Sequence, residues 1–215
     1  MIERKIKKSY TTVIGSFPSL KNQTVVSYKN TLIRDTLYYP EFDRSINSYE
    51  TDPFTTAMTL DDGIVHEYMP TIRAIRNNHP VIIEVDFAEH LKTQRGMWQI
   101  QMAKRWVREN DAGLEIYTER EIRQMPRLDN LKIFYRYSRL NLPAQYLMTI
   151  QRMFKQKSQI SLGEMAANLI SSEPATAKPF IWASIFHHYL DVDLNEKMSD
   201  SVLLVPTERI LAWAE

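Results

Sequence analysis

Val81-Ile82-Ile83-Glu84-Val85-Asp86-Phe87 is the stretch on which the reading of this chain turns. Its β-branched and apolar density, restarted by Pro80, predicts a buried strand. Successive strand side chains point to opposite faces, so Val81, Ile83, Val85 and Phe87 share one face while Ile82, Glu84 and Asp86 share the other. Two carboxylates side by side on a sheet face are the oxygen donors a hard divalent cation takes. Upstream, Glu67-Tyr68-Met69-Pro70-Thr71 reads as a second central strand, entered through a hairpin turn at Asp61-Asp62-Gly63, with residues 73–79 as a polar connection.

Working outward, residues 97–109 form an amphipathic helix with Met97, Ile100, Ala103 and Val107 on one face. Trp98, Met102 and Trp106 make an adjoining packing stripe. Residues 110–113 stop the helix and 114–118 make a strand, so strand, helix and strand predict a right-handed crossover to a parallel neighbour. Before the central strands, residues 10–26 read as two short strands around a Gly/Pro turn. Residues 28–39 read as a helix closed by Pro40, and residues 46–60 as strand-like around Pro53. Residues 10–120 thus describe an α/β arrangement, a mixed sheet with a helix on each side.

The later residues have another grammar. Between Arg123 and Lys157 the chain carries eight basic residues (Arg123, Arg127, Lys132, Arg136, Arg139, Arg152, Lys155 and Lys157) against one acid, Asp129. Phe134, Tyr135, Tyr137, Tyr146 and Phe154 are interleaved with them, a composition that suits phosphate contact and equally a solvated helix face. Residues 143–157 predict a helix, and Ser161-Leu162-Gly163-Glu164 is a capping box that opens a second. Residues 174–178 break the chain, and Pro179 begins a third helix running to Tyr189. Weak alternation over residues 191–205 suits a hairpin. Three helices and a hairpin predict a winged helix-turn-helix whose third helix enters a major groove if the module reads DNA. Beyond Lys178 that helix offers only Ser184, His187 and His188 to a base edge, so docking protein, or binding DNA through the first helix and wing, stand as near equals.

Composition bounds the rest. The 215 residues suffice for two domains, and 44% hydrophobic and 25% charged residues with five glycines describe an ordinary globular chain. There is no cysteine, which excludes disulfides, thiol catalysis and the common zinc ribbons. Only carboxylates and five histidines remain as metal ligands. The basic start, residues 1–9, is followed by no apolar run of signal or membrane-span length, so a cytoplasmic protein without a membrane partner is expected. A net charge of +1 makes no global case for nucleic acid; its distribution does.

Ten short pieces then come in register: Gly15-Ser-Phe-Pro-Ser-Leu-Lys21, Arg34-Asp35, Glu41-Phe-Asp43, Tyr49-Glu50, Pro53-Phe54, Tyr68-Met-Pro70, Glu84-Val85, Tyr117-Thr-Glu119, Glu121-Ile-Arg123 and Leu128-Asp-Asn-Leu131. In order and approximate spacing, over residues 10–205, they resemble the TnsA family, the endonuclease subunit of heteromeric Tn-type transposases. The resemblance implies a restriction-endonuclease-like domain over residues 10–122, a basic connecting segment over 123–142 and a winged helix over 143–215. It implies as partners the double-stranded DNA of transposon ends, a TnsB-type transposase and a TnsC-type ATPase, at the bacterial nucleoid, and leaves open a homodimer.

The departures from the family pattern decide the expected activity. Ile33 stands where the family has a glutamate, Thr71 where it has a metal-binding aspartate, and Asp86 where it has a lysine; Glu84 is kept. One carboxylate and a threonine hydroxyl are a poor magnesium set, and an anion in place of the lysine repels a scissile phosphate. The expectation is a catalytically defective subunit with no cofactor, binding DNA and its protein partners. Two alternatives remain. One is an active endonuclease nicking 5′ transposon ends, with magnesium or manganese on Glu84 and Asp86 and help from His66 or Glu67. The other is a regulator that competes with a functional TnsA. Asp35, Glu41 and Glu50 are the acids that a shifted alignment would bring into play, Asp35 first.

Overall fold

The computed structural model describes residues 13–59, 63–170 and 173–213. The basic start at residues 1–9 and the turn residues Asp61 and Asp62 lie outside these. The chain divides into two compact units, residues 1–122 and 123–215. Among the described residues no helix is long and apolar enough to cross a membrane.

The first unit opens with a hairpin of β1 (Gly15–Ser19) and β2 (Thr24–Tyr28), in register from Gly15↔Tyr28 to Ser19↔Thr24. The Gly/Pro piece expected as a turn is therefore itself a strand. The turn falls one step later, where Gln23 takes a positive φ of 54°. Helix α1 (Thr31–Phe42) is capped by Asn30, whose side chain accepts from the Ile33 amide at 2.8 Å. Pro40 does not close it. Proline forfeits one backbone bond, here to the fourth residue back, and burying Leu37, Pro40 and Glu41 in the last turns offsets that loss.

Strands β3 (Ile46–Thr51), β4 (Thr56–Thr59) and β5 (Val65–Tyr68) follow, with β4 and β5 paired as the expected hairpin. The larger correction comes next. Residues 73–79 are not a connection: β6 (Ile72–Arg76) runs back antiparallel to both β3 and β7 (His79–Val85). Its charged residues look loop-like in sequence, but they find partners, Arg73 on Glu50 at 3.2 Å and Arg76 on Asp43 and Glu115, while Ile72 and Ala74 are fully buried. The turn into β7 is Asn77-Asn78, both at positive φ (48° and 66°), as a type I′ hairpin requires.

The short helix α2 (Ala88–Leu91) leads into α3 (Gln94–Glu109), and β8 (Gly113–Tyr117) then joins β7 in parallel. The sheet order β3-β6-β7-β8 puts β7 inside, so Val81 to Val85 are buried on both faces, which explains an apolar run broken only by Glu84. Met102, Ala103 and Val107 of α3 are buried, whereas Met97, expected on the core face, is half exposed. The aromatic stripe does pack: Trp106 stacks on Phe54 at 4.9 Å and Trp98 sits 4.5 Å from the His66 ring. Helix α4 (Glu119–Ile122) ends the unit.

In the second unit, α5 (Arg127–Tyr137) lies within the basic segment and buries Leu128, Leu131 and Phe134. Helices α6 (Ala144–Phe154) and α7 (Leu162–Leu169) follow, separated by the two-residue strand β9 (Ile160–Ser161). Ser161 caps α7, accepting from the Glu164 amide at 3.2 Å; the Glu164 carboxylate turns to Lys157 at 2.6 Å. The third helix of the expected trio begins earlier than predicted. Pro174 occupies the first position of α8 (Pro174–Phe186), and Pro179 lies inside it. Strands β10 (Leu190–Val192) and β11 (Leu203–Pro206) form the expected hairpin, β9 adds a third strand in the order β10-β11-β9, and α9 (Glu208–Leu211) follows.

Candidate functional site

Ile33, Thr71, Glu84 and Asp86 come from three places in the chain: the first turn of α1, the approach to β6 and the end of β7. The fold brings all four to the wall of one cavity of about 460 Å³, together with Lys29, Glu67, His90 and Arg95. Asp35 is absent from that wall: it is buried on α1 and ion-paired with Arg34 at 2.9 Å. Glu50 pairs with Arg73 outside the site, and His66 packs on Trp98.

Glu84 is 2% exposed. Its Oε1 accepts from the Tyr68 hydroxyl at 2.8 Å, and its Oε2 accepts from the Thr71 hydroxyl at 2.8 Å and the Gln99 amide at 3.2 Å. Burial pushes its pKa up, and these three donors, all neutral, pull it partly back. The Tyr68 hydroxyl is pushed up as well, by burial and by the carboxylate it faces. Thr71 is doubly used, since its oxygen also accepts from the Val85 amide at 3.3 Å. Gln99 reaches from α3 and also donates to the Met69 carbonyl at 3.0 Å, tying helix, strand end and carboxylate together.

Asp86 shares the sheet face of Glu84 by parity but turns to its own helix. Its Oδ1 accepts from the Phe87 amide at 2.8 Å, and its Oδ2 meets Nδ1 of His90 one turn on. The α2–α3 corner that carries His90 and Arg95 depends on Gly96, where an added Cβ would lie 2.3 Å from the His90 carbonyl oxygen. Lys29 is paired with Asp52 at 2.6 Å.

This donor set does not fit a magnesium ion. Ile33 offers no oxygen, Thr71 spends its proton on Glu84, and both Glu84 oxygens already take donors. Among the described residues no group of three histidines or acids is arranged to hold a metal. The cavity wall thus holds a buried carboxylate hydrogen-bonded to three neutral groups.

Other pieces of the sequence pattern form clasps. Glu41 accepts from the Ser19 and Tyr49 hydroxyls and from the Leu20 and Lys21 amides, fastening the β1–β2 hairpin to α1 and β3. Burial lowers the Lys21 pKa, with its ammonium donating to the Asp43 carbonyl. Glu119 accepts from the Ala88 amide at 2.8 Å. Asn130, buried in α5, donates to the Leu194 and Glu196 carbonyls at 2.9 and 2.8 Å. Sequence reasoning missed Gln99, which carries a signal, a polar residue in register with Met102 and Trp106 on an apolar stripe; Glu41, singled out as an acid that a shifted alignment would bring into the site, serves the β1–β2 clasp instead.

Of the eight basic residues, Arg136, Arg139, Arg152, Lys155 and Lys157 are exposed, and Arg123, Arg127 and Lys132 are half-buried. The third helix is exposed at Pro174 to Thr176 but not along its later turns. Ile181 to Phe186 are all buried, the Ser184 hydroxyl donates back to the Phe180 carbonyl at 2.8 Å, and His187 Nε2 lies 2.7 Å from the Ser138 carbonyl oxygen. Its apolar composition is that of a central core helix packed by α5 and α7. In comparison with known proteins, no family model matches the chain and no curated protein matches it in sequence.

Proposed function

We propose that this chain is a catalytically defective TnsA-like subunit of a DNA transposition machinery. In this reading the first unit is a restriction-endonuclease-like domain and the second a winged helix. The protein binds transposon-end DNA in the bacterial cytoplasm and docks a TnsB-like transposase and a TnsC-like ATPase. The observation that supports it is the convergence of Ile33, Thr71, Glu84 and Asp86 on one cavity, with the retained carboxylate fully engaged by Tyr68, Thr71 and Gln99. A metal-dependent nuclease needs its carboxylates open toward the ion and a base near the attacking water. Here the carboxylate's oxygens are spent on the fold, which is how a scaffold persists after its chemistry has gone.

A second reading, an endonuclease with a rebuilt metal site, has in its favour that Glu67 lines the same cavity as Glu84 and Asp86. One experiment separates the two. Supercoiled plasmid carrying transposon ends is incubated with the full chain in magnesium or manganese, and duplex binding is measured in parallel. The proposal expects bound duplex and no nicked circles in either metal. Manganese-dependent nicking that disappears in Glu84→Ala sinks it and establishes the nuclease.

A further inference from the structure

We propose that the second unit grips duplex DNA through the phosphate backbone alone, from the solvent stripe of α5 and the C-terminal end of α6, without reading base sequence. The inference rests on the DNA-binding reading above and specifies how that binding is made.

Three features remove the usual means of reading a base. Helix α8 is core from Ile181 to Phe186, and Lys178 near its start is held by Asp200 at 2.8 Å. The loop between β10 and β11 carries Asp193 and Glu196 against Lys197, besides the Asp200 paired with Lys178, so its charge disfavours phosphate. Four of the five interleaved aromatics, all but Tyr137, are spent on packing: Phe134 lies 5.6 Å from Trp182, Tyr135 meets Phe186 edge-on at 6.2 Å, and Tyr146 meets Phe180 at 4.8 Å. Phe154 is buried too.

What remains is charge, and it is divided along the chain. Residues 123–157 hold eight basic residues and one acid, while residues 158–215 hold eight acids and three basic residues. On α5 the face opposite Leu128, Leu131 and Phe134 carries exposed Arg136 beside the one acid, Asp129, with half-buried Lys132 at its edge and Arg139 exposed just beyond the helix. On α6, Arg152 is exposed in the last turn and Lys155 caps the helix, where cations also favour the negative end of the helix dipole. Such long side chains release counterions from a polyanion wherever they meet it, and a phosphate carries no sequence information.

The test is fluorescence anisotropy of three 30-base-pair duplexes of unrelated sequence with the full chain, from 50 to 200 mM sodium chloride. Four phosphate contacts, from Arg136, Arg139, Arg152 and Lys155, give a log–log salt slope of about −3.6, so affinity falls about 150-fold over that range. The three duplexes should bind within about threefold of one another, since phosphate contact is blind to sequence. Arg136→Gln with Arg139→Gln, or Arg152→Gln with Lys155→Gln, should each cut the fall to about 12-fold, by removing two contacts. These residues are exposed, and an unchanged circular dichroism spectrum verifies folding. A preference above tenfold for one duplex, or a salt slope that neither pair alters, overturns the inference and leaves the DNA-binding reading standing. No binding of any duplex at 50 mM salt overturns both.

Discussion

Replacing Glu84 by glutamine should make the first unit more stable, and increasingly so as pH rises. The carboxyl is almost wholly buried, and its three partners are a phenol, a hydroxyl and an amide, with no cation among them. Burying an ion costs several kcal/mol, and hydrogen bonds to a charged group return roughly 1.5–3 kcal/mol each. The terms nearly cancel, and the raised pKa says that burial retains the advantage. The ionised form therefore carries a net cost in the folded state. The sign is fixed by which state loses its proton first. Below the unfolded carboxyl value of about 4.3 both states are protonated and the stabilising contribution is fully present. As pH climbs toward the raised folded value, the unfolded chain ionises first, so stability falls by up to about 1.4 kcal/mol per pH unit and then levels off. Glutamine has no such dependence, and its amide can serve the same donors once the Tyr68 hydroxyl rotates to accept. Thermal unfolding should show the variant's Tm gaining on the parent's between pH 4 and pH 8, by about 4 °C for each 1 kcal/mol the parent loses. A difference independent of pH, or a parent that is the more stable protein at pH 8, would refute the argument that Glu84 is a desolvated, cation-free carboxylate.

Gly96→Ala should destabilise by about 2 kcal/mol or more, because its Cβ meets the backbone of His90 and Leu91 rather than a movable side chain; chemical denaturation measures it. Glu41→Ala strips the acceptor from the Ser19 and Tyr49 hydroxyls and two amides, and should cost about 3 kcal/mol. Hydrogen exchange at the Leu20 and Lys21 amides should accelerate with it, and unchanged exchange would show that the clasp does not hold the hairpin. Asn130→Ala should cost about 1–3 kcal/mol, leaving the Leu194 and Glu196 carbonyls without their donor. Limited proteolysis should then cut first in the loop after β10.

Much of the fold is legible where a local rule acts alone. The apolar run of β7, the helix expected over residues 97–109 and observed from Gln94, the hairpin of β4 and β5 and the Ser161 cap follow from periodicity, turn residues and capping chemistry that neighbours in sequence supply. The candidate site is less legible: Ile33, Thr71, Glu84 and Asp86 line one cavity, but Asp86 lies beyond the end of β7 and turns to His90, which strand parity does not reveal.

What only the tertiary structure decided lies where distant groups cancel a local cost. Arg73 and Arg76 sit in a central strand because Glu50, Asp43 and Glu115 wait beside them on other segments. Pro40 and Pro179 stay inside helices because packing outweighs one missing backbone bond. Helix α8 is a core element rather than a reading head because α5 and α7 cover it, a fact no helical spacing reveals. Glu84 is a buried, hydrogen-bonded carboxylate because Tyr68, Thr71 and Gln99 converge on it across 13 to 16 residues of chain. The sequence alone determined which residues are apolar, which are charged and where a turn or cap is cheap. Whether a given charge faces water, an ion partner or three buried donors depends on segments that meet only in the folded state.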